Sequence, residues 1–273
     1  MAFKAMLQSN YSNQSLRVSL LINLQGKRAI IVGARRIGAV VAHRMAAEGI
    51  DVAVVYRNSE DEAKALVNEL LLKKINATTI KCDLTDEDQV LNMLDNAKTK
   101  IGDIDFGVNL ASGFPRDPFM ELNSDSWDKS IGDAKGTFLF GVHLSRVMMS
   151  NSGPTKGHLV FFSDWAAIHA PYKNYLPYMA SKASIDFMTR AFAVELSSNG
   201  ILVNAIAPGP TMRPPDISEA SWNQNVVSKA PLQRESSASD IGEMVVTLLK
   251  SETITGETIR IDSGRHLAGP GNN

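Results

Sequence analysis

The stretch that sets the architecture is Arg28–Gly49, RAIIVGARRIGAVVAHRMAAEG. Residues 28–32 form a short apolar run that is typical of a buried strand. A glycine turn from Gly33 to Gly38 follows, and a helical pattern then runs to Glu48. A helix that begins after such a turn offers unpaired N–H groups and the positive end of its dipole. The unit therefore provides the context that a phosphate-binding turn requires.

The same alternation of strand and helix continues along the chain. The predicted strands are 28–32, 52–56, 77–82, 105–109, 158–163, 201–206 and one near 257–261. The predicted helices are one that runs from the glycine turn through Val40 to Glu48, then 60–73, 86–99, 124–150, 175–198 and one near 238–250. Strands that alternate with helices at this spacing indicate one parallel sheet with helices on both faces. The fold class is α/β, with a single doubly wound sheet of the Rossmann type.

The domain organisation is simple. No internal repeat and no linker divides the chain. We predict one dinucleotide-binding and catalytic domain over residues 23–267, an extension at 1–22 and a flexible tail at 268–273. The Pro-rich stretch 211–236 is predicted to form a lid over the site.

Composition excludes several classes of protein. Hydrophobic residues make up 44% of the 273 residues and charged residues 21%, which suits a globular domain. The net charge of −1 gives no general attraction to nucleic acid or to an anionic membrane. No apolar run approaches the roughly 18 residues that span a bilayer. The single cysteine, Cys82, is interpreted as a buried small residue in a reducing compartment, so we expect a cytoplasmic protein.

The N-terminal residues leave two interpretations open. Residues 1–22 contain Lys4 and Arg17, several Ser and Asn, and no acid, because the first acidic residue is Glu48. That composition resembles an organellar transit peptide. A mobile extension ahead of the first strand is the simpler alternative.

Ligands bind at the carboxyl ends of the strands in a parallel sheet of this kind. The residues that we nominate for the site lie there, after the first six strands: Gly33, Arg57, Asp83, Asn109, Ser163 with Asp164, and Pro208 with Gly209. This convergence predicts one site at a single edge of the sheet.

Tyr178 and Lys182 lie four residues apart in a predicted helix, and therefore on one face of it. Free tyrosine has a pKa of about 10 and is a poor proton donor or base at neutral pH. A nearby ammonium favours the phenolate and lowers that pKa. The pair can therefore pass a proton to or from an oxygen held above it, although the spacing alone also occurs on solvated helices.

These features together resemble the short-chain dehydrogenase/reductase family, over about residues 25–265. The segments that carry the resemblance are Tyr178-Met179-Ala180-Ser181-Lys182, Cys82-Asp83-Leu84, Asn109-Leu110-Ala111-Ser112, Asn204–Gly209 and Ile254-Thr255-Gly256. Within the family, Arg36, Ala111-Ser112 and an Asp in the active-site strand resemble the pteridine reductase and 3-oxoacyl-carrier-protein reductase-like branch.

The resemblance implies an NADPH-dependent reductase that delivers hydride to a carbonyl or imine carbon while Tyr178 donates the proton. Lys182 would lower the pKa of Tyr178 and bind the nicotinamide ribose. The resemblance also implies a homotetramer, or else a dimer, with the helices at 124–150 and 175–198 in the subunit contacts. We expect no metal ion.

Three departures from the family pattern bear on the site. Gly33 and Gly38 are five residues apart, one fewer than usual, and Arg36 stands where a middle glycine is expected. The catalytic Ser of the family lies 13 residues before its Tyr, but here Ser163 lies 15 before and Asp164 lies 14 before. Asp133 replaces the Asn of the long helix.

The residue after the second strand indicates the cofactor. An acid there would bind a ribose hydroxyl and repel a phosphate, but this chain has Arg57 instead. Cations and small hydrogen-bonding side chains suit a phosphate dianion, so we predict NADP(H). The predicted cofactor-binding residues are Gly33, Arg35, Arg36, Ile37, Gly38, Tyr56, Arg57, Asn58, Ser59, Asp83, Leu84, Asn109, Ala111, Ser112, Lys182, Pro208, Gly209 and Thr211.

The catalytic assignments beyond Tyr178 and Lys182 stay open. Either Ser163 or Asp164 would hold the substrate oxygen. If burial raised its pKa, Asp164 would do so as a neutral acid or would donate a proton itself, and the alternative is that it only caps the following helix. Asp133 would hold a proton-relay water or would only kink the helix. A small-molecule substrate, aromatic or bulky, is suggested by a set of rings that could line its pocket: Phe114, Trp165, His169, Tyr172 and Tyr175.

Two other classes of function are compatible with the departures. The first is a non-redox isomerase, dehydratase or cyclase that keeps NADP as a scaffold. The second is an NADP(H)-sensing protein without turnover, which the intact Tyr178 and Lys182 pair disfavours.

Overall fold

A computed structural model describes residues 21–171, 173–215 and 217–268. Most of the predicted tail and most of the predicted extension lie outside these residues, as does Tyr172. The first described residues are bonded to the C-terminal part of the chain: the Ile22 N–H donates to the carbonyl oxygen of Lys250 at 3.0 Å.

Seven parallel strands form one sheet in the order β3-β2-β1-β4-β5-β6-β7. The strands are β1 (Arg28–Val32), β2 (Asp51–Tyr56), β3 (Ala77–Lys81), β4 (Phe106–Asn109), β5 (Gly157–Phe162), β6 (Ile201–Pro208) and β7 (Thr258–Ile261). The predicted α/β fold class is confirmed. Every strand is found within two residues of its predicted bounds, and β6 continues two residues further to Pro208.

The helices connect successive strands. They are α1 (Ile37–Ala47), α2 (Glu60–Leu71), α3 (Glu87–Ile101), α4 (Ser124–Met148), α5 (Leu176–Leu196), α6 (Glu219–Asn225) and α7 (Ala238–Lys250). Side chains define several ends: Asp86 caps α3, and Asn123 with Ser126 forms a capping box on α4. The region predicted as a lid contains α6, which was not predicted.

Each face of the sheet has its own core. Alternate residues of β1 point to opposite sides, so Ala29 and Ile31 pack with α1, α2 and α7, whereas Ile30 and Val32 pack with α3, α4 and α5. The sheet is thus covered on both faces, as the near-continuous apolar strands require. In the part of the chain that the structure describes, no helix is both long enough and apolar enough to cross a membrane.

Cys82 lies in this core directly after β3, with 2% of its surface exposed. Burial raises the pKa of its thiol to about 12. A thiol that stays protonated is a poor nucleophile, so the structure supports the interpretation of Cys82 as a packing residue.

His158 is buried near the amino end of β5, with its ring edge-on to Phe106 at 5.7 Å between centroids. Neither ring nitrogen has a hydrogen-bond partner within the described residues. Burial, with a smaller effect of the Lys27 charge, lowers the pKa of His158 to about 4. The imidazole is therefore neutral in the folded protein, and protonation favours the unfolded state.

We expect this histidine to make the fold acid-sensitive. Because the folded pKa lies below the unfolded value of about 6.5, its contribution is complete at neutral pH and is lost as pH falls from 6.5 towards 4. The free energy of unfolding should drop by about 2 kcal/mol between pH 7 and pH 5 from this group alone. Urea unfolding at both pH values measures the drop. His158→Met should show a smaller drop, and an equal drop in both proteins would contradict the assignment.

Candidate active site

The predicted site residues gather at the carboxyl edge of the sheet. In the register of the central strands, Val32 lies beside Val55 and Asn109, and Asn109 lies beside Phe161. The residues that follow β1, β2, β4 and β5 are therefore neighbours across one edge. This arrangement follows directly from the parallel order of the strands.

The glycine turn after β1 is tight despite its short spacing. Gly33 has a φ of +105°, a backbone conformation that favours glycine. A side chain at Gly38 would place its Cβ 1.9 Å from the Gly33 carbonyl oxygen. Ile37 begins α1, so a small backbone turn stands directly before a helix N-terminus. The turn fits a dinucleotide pyrophosphate, which needs a close backbone approach at such a helix end.

Arg35 and Arg36 lie in this turn, and Arg57 follows the neighbouring strand β2. Arg35 lies 3.3 Å from Glu62 and Arg57 lies 3.8 Å from Asp83, and both arginine side chains are more than three-fifths exposed. Exposed pairs of this kind are weak, so these cations are available to a phosphate. Arg36 has a φ of 53° and donates to the carbonyl oxygen of Met212, which joins the turn to the lid region.

The residues after β2 and β3 complete this side of the site. Tyr56 ends β2, and Asn58 and Ser59 follow Arg57 ahead of α2. Asp83 accepts hydrogen bonds from Thr85 N–H at 3.0 Å and Thr85 Oγ1 at 2.8 Å. Burial raises the pKa of Asp83, but these bonds and the Arg57 charge outweigh it, and the net shift is downward.

Two side chains of α4 hold the loop after β4. Asn109 donates to Thr137 Oγ1 at 3.0 Å and accepts from Ala111 N–H at 3.0 Å. One turn earlier on the helix, Asp133 Oδ2 accepts from Ser112 Oγ and from the Gly113 N–H, both at 3.0 Å. Asp133 therefore bonds directly to the loop. Sequence reasoning missed Thr137, although its position four residues after Asp133 places it on the same helix face.

Tyr178 and Lys182 lie one turn apart on α5, as predicted. The Lys182 side chain is buried, and its ammonium donates to the Phe162 carbonyl oxygen at 2.8 Å. It lies 5.9 Å from the centroid of the Tyr178 ring. Burial lowers the pKa of Lys182, while the charges of Asp133 and Asp164 oppose that shift.

The two candidates for holding the substrate oxygen occupy different places. Ser163 is buried, and its hydroxyl donates to the Lys182 carbonyl oxygen at 3.1 Å. Asp164 instead faces Tyr178, whose hydroxyl donates to Asp164 Oδ2 at 2.9 Å. The other carboxylate oxygen accepts the Ala166 N–H at 2.8 Å. The structure thus pairs Tyr178 with the Asp164 carboxylate, whereas the Ser163 hydroxyl bonds to the backbone of α5.

Aromatic rings stand beside Tyr178. Phe114 stacks on Tyr175 with centroids 4.5 Å apart and meets Tyr178 edge-on at 4.9 Å. Trp165 is buried in the same cluster as Tyr178, whereas His169 is exposed. Phe114 and Tyr175 are therefore the predicted rings that flank Tyr178.

The last part of the edge lies after β6. Pro208 ends that strand, Gly209 packs against the backbone of Asp262, and Thr211 is buried with its hydroxyl on the Gly209 carbonyl oxygen at 2.8 Å. Arg265 follows β7 at the same edge and was missed, although the rule that located the other residues applies to it.

The sequence was also compared with known proteins. A family model described as enoyl-(acyl carrier protein) reductase matches residues 32–266. The 3-oxoacyl-(acyl-carrier-protein) reductase FabG of Staphylococcus aureus is 32% identical over 250 residues, which cover 88% of this chain and 98% of that protein.

Solved structures with the same architecture include two that contain the cofactor. FolM alternative dihydrofolate reductase 1 from Brucella canis, complexed with NADP, is 30% identical, with a TM-score of 0.80 over 90% of this chain and 96% of that one. A blue fluorescent protein from a metagenomic library, complexed with NADPH, is 29% identical, with a TM-score of 0.80 over 89% of this chain and 99% of that one. The sheet order, the Tyr178 and Lys182 pair and these matches agree, and the chain belongs to the short-chain dehydrogenase/reductase family.

Proposed function

We propose that the protein is an NADPH-dependent reductase that reduces a C=N bond in a flat nitrogen heterocycle of the dihydropterin type. The observation that supports this most is the hydrogen bond from the Tyr178 hydroxyl to the Asp164 carboxylate at 2.9 Å. The similar Brucella protein is an alternative dihydrofolate reductase, and dihydrofolate contains such a bond.

The Asp164 carboxylate supports reduction of an imine over reduction of a carbonyl. An ionised carboxylate only accepts hydrogen bonds, so Asp164 offers a carbonyl oxygen no donor and disfavours a developing alkoxide. A heterocycle that carries N–H groups beside its C=N bond can donate to Asp164 while its imine nitrogen accepts from Tyr178. Phe114 and Tyr175 supply flat apolar surfaces beside this pair.

The residues then have distinct tasks. When bound, NADPH supplies the hydride. Tyr178 donates a proton to the substrate nitrogen, and the Lys182 ammonium stabilises the phenolate that forms. Gly33 and Gly38 give room for the pyrophosphate, and Arg57 with Arg35 is placed to bind a ribose phosphate.

Proton donation is tested by NADPH consumption with dihydrobiopterin, acetoacetyl thioester and a simple ketone. Tyr178→Phe should lower kcat by at least about 10²-fold, within the range for a general acid. Asp164→Asn should lower turnover of the dihydropterin by about tenfold or more, because it keeps the shape and removes the charge. Tyr175→Phe removes a neighbouring hydroxyl and should leave turnover nearly unchanged. A wild-type preference for the thioester would instead support carbonyl reduction, the activity named for the Staphylococcus relative.

Arg57 is proposed to select NADPH. Arg57→Ala should raise the KM for NADPH by about tenfold or more and leave the KM for NADH within about threefold, because only NADPH carries the phosphate. Steady-state kinetics with each cofactor measure both values. Arg260→Ala is a matched control. Arg260 is exposed on β7, the last strand of the sheet on the side away from β2 and Arg57. An equal rise in the KM for NADPH and the KM for NADH would count against this role of Arg57.

We also propose that α4 and α5 carry subunit contacts in a homotetramer. Both helices expose apolar side chains, with Phe138 48%, Phe187 65% and Val194 75% exposed. Light scattering during gel filtration should give four times the mass of one chain, and a monomer would refute the proposal.

A cytoplasmic location fits the unreactive Cys82 thiol, and retention in an organelle or membrane fraction of source cells would argue against it.

A further inference from the structure

Arg265 is a buried cation that no acidic side chain of the described residues neutralises. It opens the short 3-10 helix Arg265–Leu267 that follows β7, and it is 8% exposed. Across residues 21–171, 173–215 and 217–268, no ion pair and no hydrogen bond engages its guanidinium nitrogens. Buried charges in proteins are normally paired, so a partner is expected.

The acids that contact this segment are bonded elsewhere. Asp262 accepts from the Gly264 and His266 N–H groups and from His266 Nδ1, the last at 2.7 Å. Glu235, in the lid region, accepts the indole N–H of Trp222. Neither carboxylate is directed at Arg265.

The guanidinium instead lies over the indole of Trp165, 5.3 Å from its centroid. Trp165 directly follows Asp164 and is buried in one cluster with Tyr178. Cation–π attraction orients the guanidinium but does not replace the hydration that a buried charge loses. Through Trp165, Arg265 thus contacts the cluster that contains Tyr178.

We propose that Arg265 binds a carboxylate or phosphate group of the substrate. This inference rests on the proposed reductase function, because the anion that Arg265 binds is a second group on the same substrate that Tyr178 protonates. The planar fork of a guanidinium matches either anion, and the stack on Trp165 leaves its edge N–H groups for the ligand. The anion lies between the carboxyl edge of β7 and the lid region, where Ser263 Oγ bonds to the Glu235 carbonyl oxygen at 3.0 Å.

Three dihydropterins with the same ring test the assignment: dihydrobiopterin has no charged tail, dihydrofolate carries carboxylates and dihydroneopterin phosphate carries a phosphate. In Arg265→Gln, kcat/KM for one or both charged substrates should fall by about tenfold or more, and that for dihydrobiopterin should change by less than about twofold. The charged substrate whose kcat/KM falls more shows whether Arg265 binds a carboxylate or a phosphate. Arg265→Lys keeps the positive charge but lacks the planar guanidinium, so its kcat/KM for the charged substrates should fall by about threefold.

A direct titration separates this proposal from the reductase proposal. Inorganic phosphate and benzoate are added to protein saturated with NADP, which occupies the phosphate-binding turn, and the Tm is followed. At least one anion should raise the Tm of the wild type and have little effect on Arg265→Gln. If no dihydropterin is reduced but this difference appears, the reductase proposal fails and the anion site stands. If Arg265→Gln does not fold, Arg265→Lys replaces it and should show a smaller rise than the wild type.

Three results would overturn the inference. The first is an equal Tm response in the wild type and the variant. The second is an equal loss of activity on all three substrates, which would make Arg265 only a support for Trp165. The third is a change in oligomeric state with unchanged selectivity, which would assign Arg265 to an acid of a second copy of the chain.

Discussion

The buried ammonium of Lys182 is the group on which the rest of the site depends. It bonds to the carbonyl oxygen of Phe162 at the end of β5, while the hydroxyl of Ser163 bonds back to the carbonyl oxygen of Lys182. This reciprocal pair of bonds fixes α5 against the end of the strand. Since Tyr178 stands one turn before Lys182, the same bonds set the position of the phenol.

A fully buried ammonium is unfavourable unless charge compensates it. The two carboxylates that oppose the fall in the Lys182 pKa come from different elements, Asp133 from α4 and Asp164 from the loop after β5. Each is held by a backbone N–H, from Gly113 and Ala166 respectively. Asp133 therefore compensates charge and also anchors the loop that carries Phe114 to its contact with Tyr178.

The sequence was sufficient for the sheet because that prediction uses only periodicity and the rule for parallel strands. The carboxyl edge followed from the same rule, which brought Gly33, Asn109 and Ser163 to one place. The choice between Ser163 and Asp164 could not be made, because adjacent residues after a strand point in different directions that depend on the turn they enter. Arg265 was missed for a related reason: arginine is usually exposed, and its burial depends on Trp165, a hundred residues earlier in the sequence.

The charges around Tyr178 limit the chemistry more than its motif does. One ammonium faces two carboxylates, so the group has a formal charge of −1 when all three are ionised. Hydride addition to a carbonyl creates an oxyanion, a second negative charge next to Asp164, before the proton arrives. Hydride addition to the carbon of a protonated C=N bond neutralises a positive charge and leaves a neutral amine, so it builds no such charge against the carboxylate. The carboxylate bonded to the Tyr178 hydroxyl is therefore the reason for proposing reduction at a C=N bond, and not at a carbonyl.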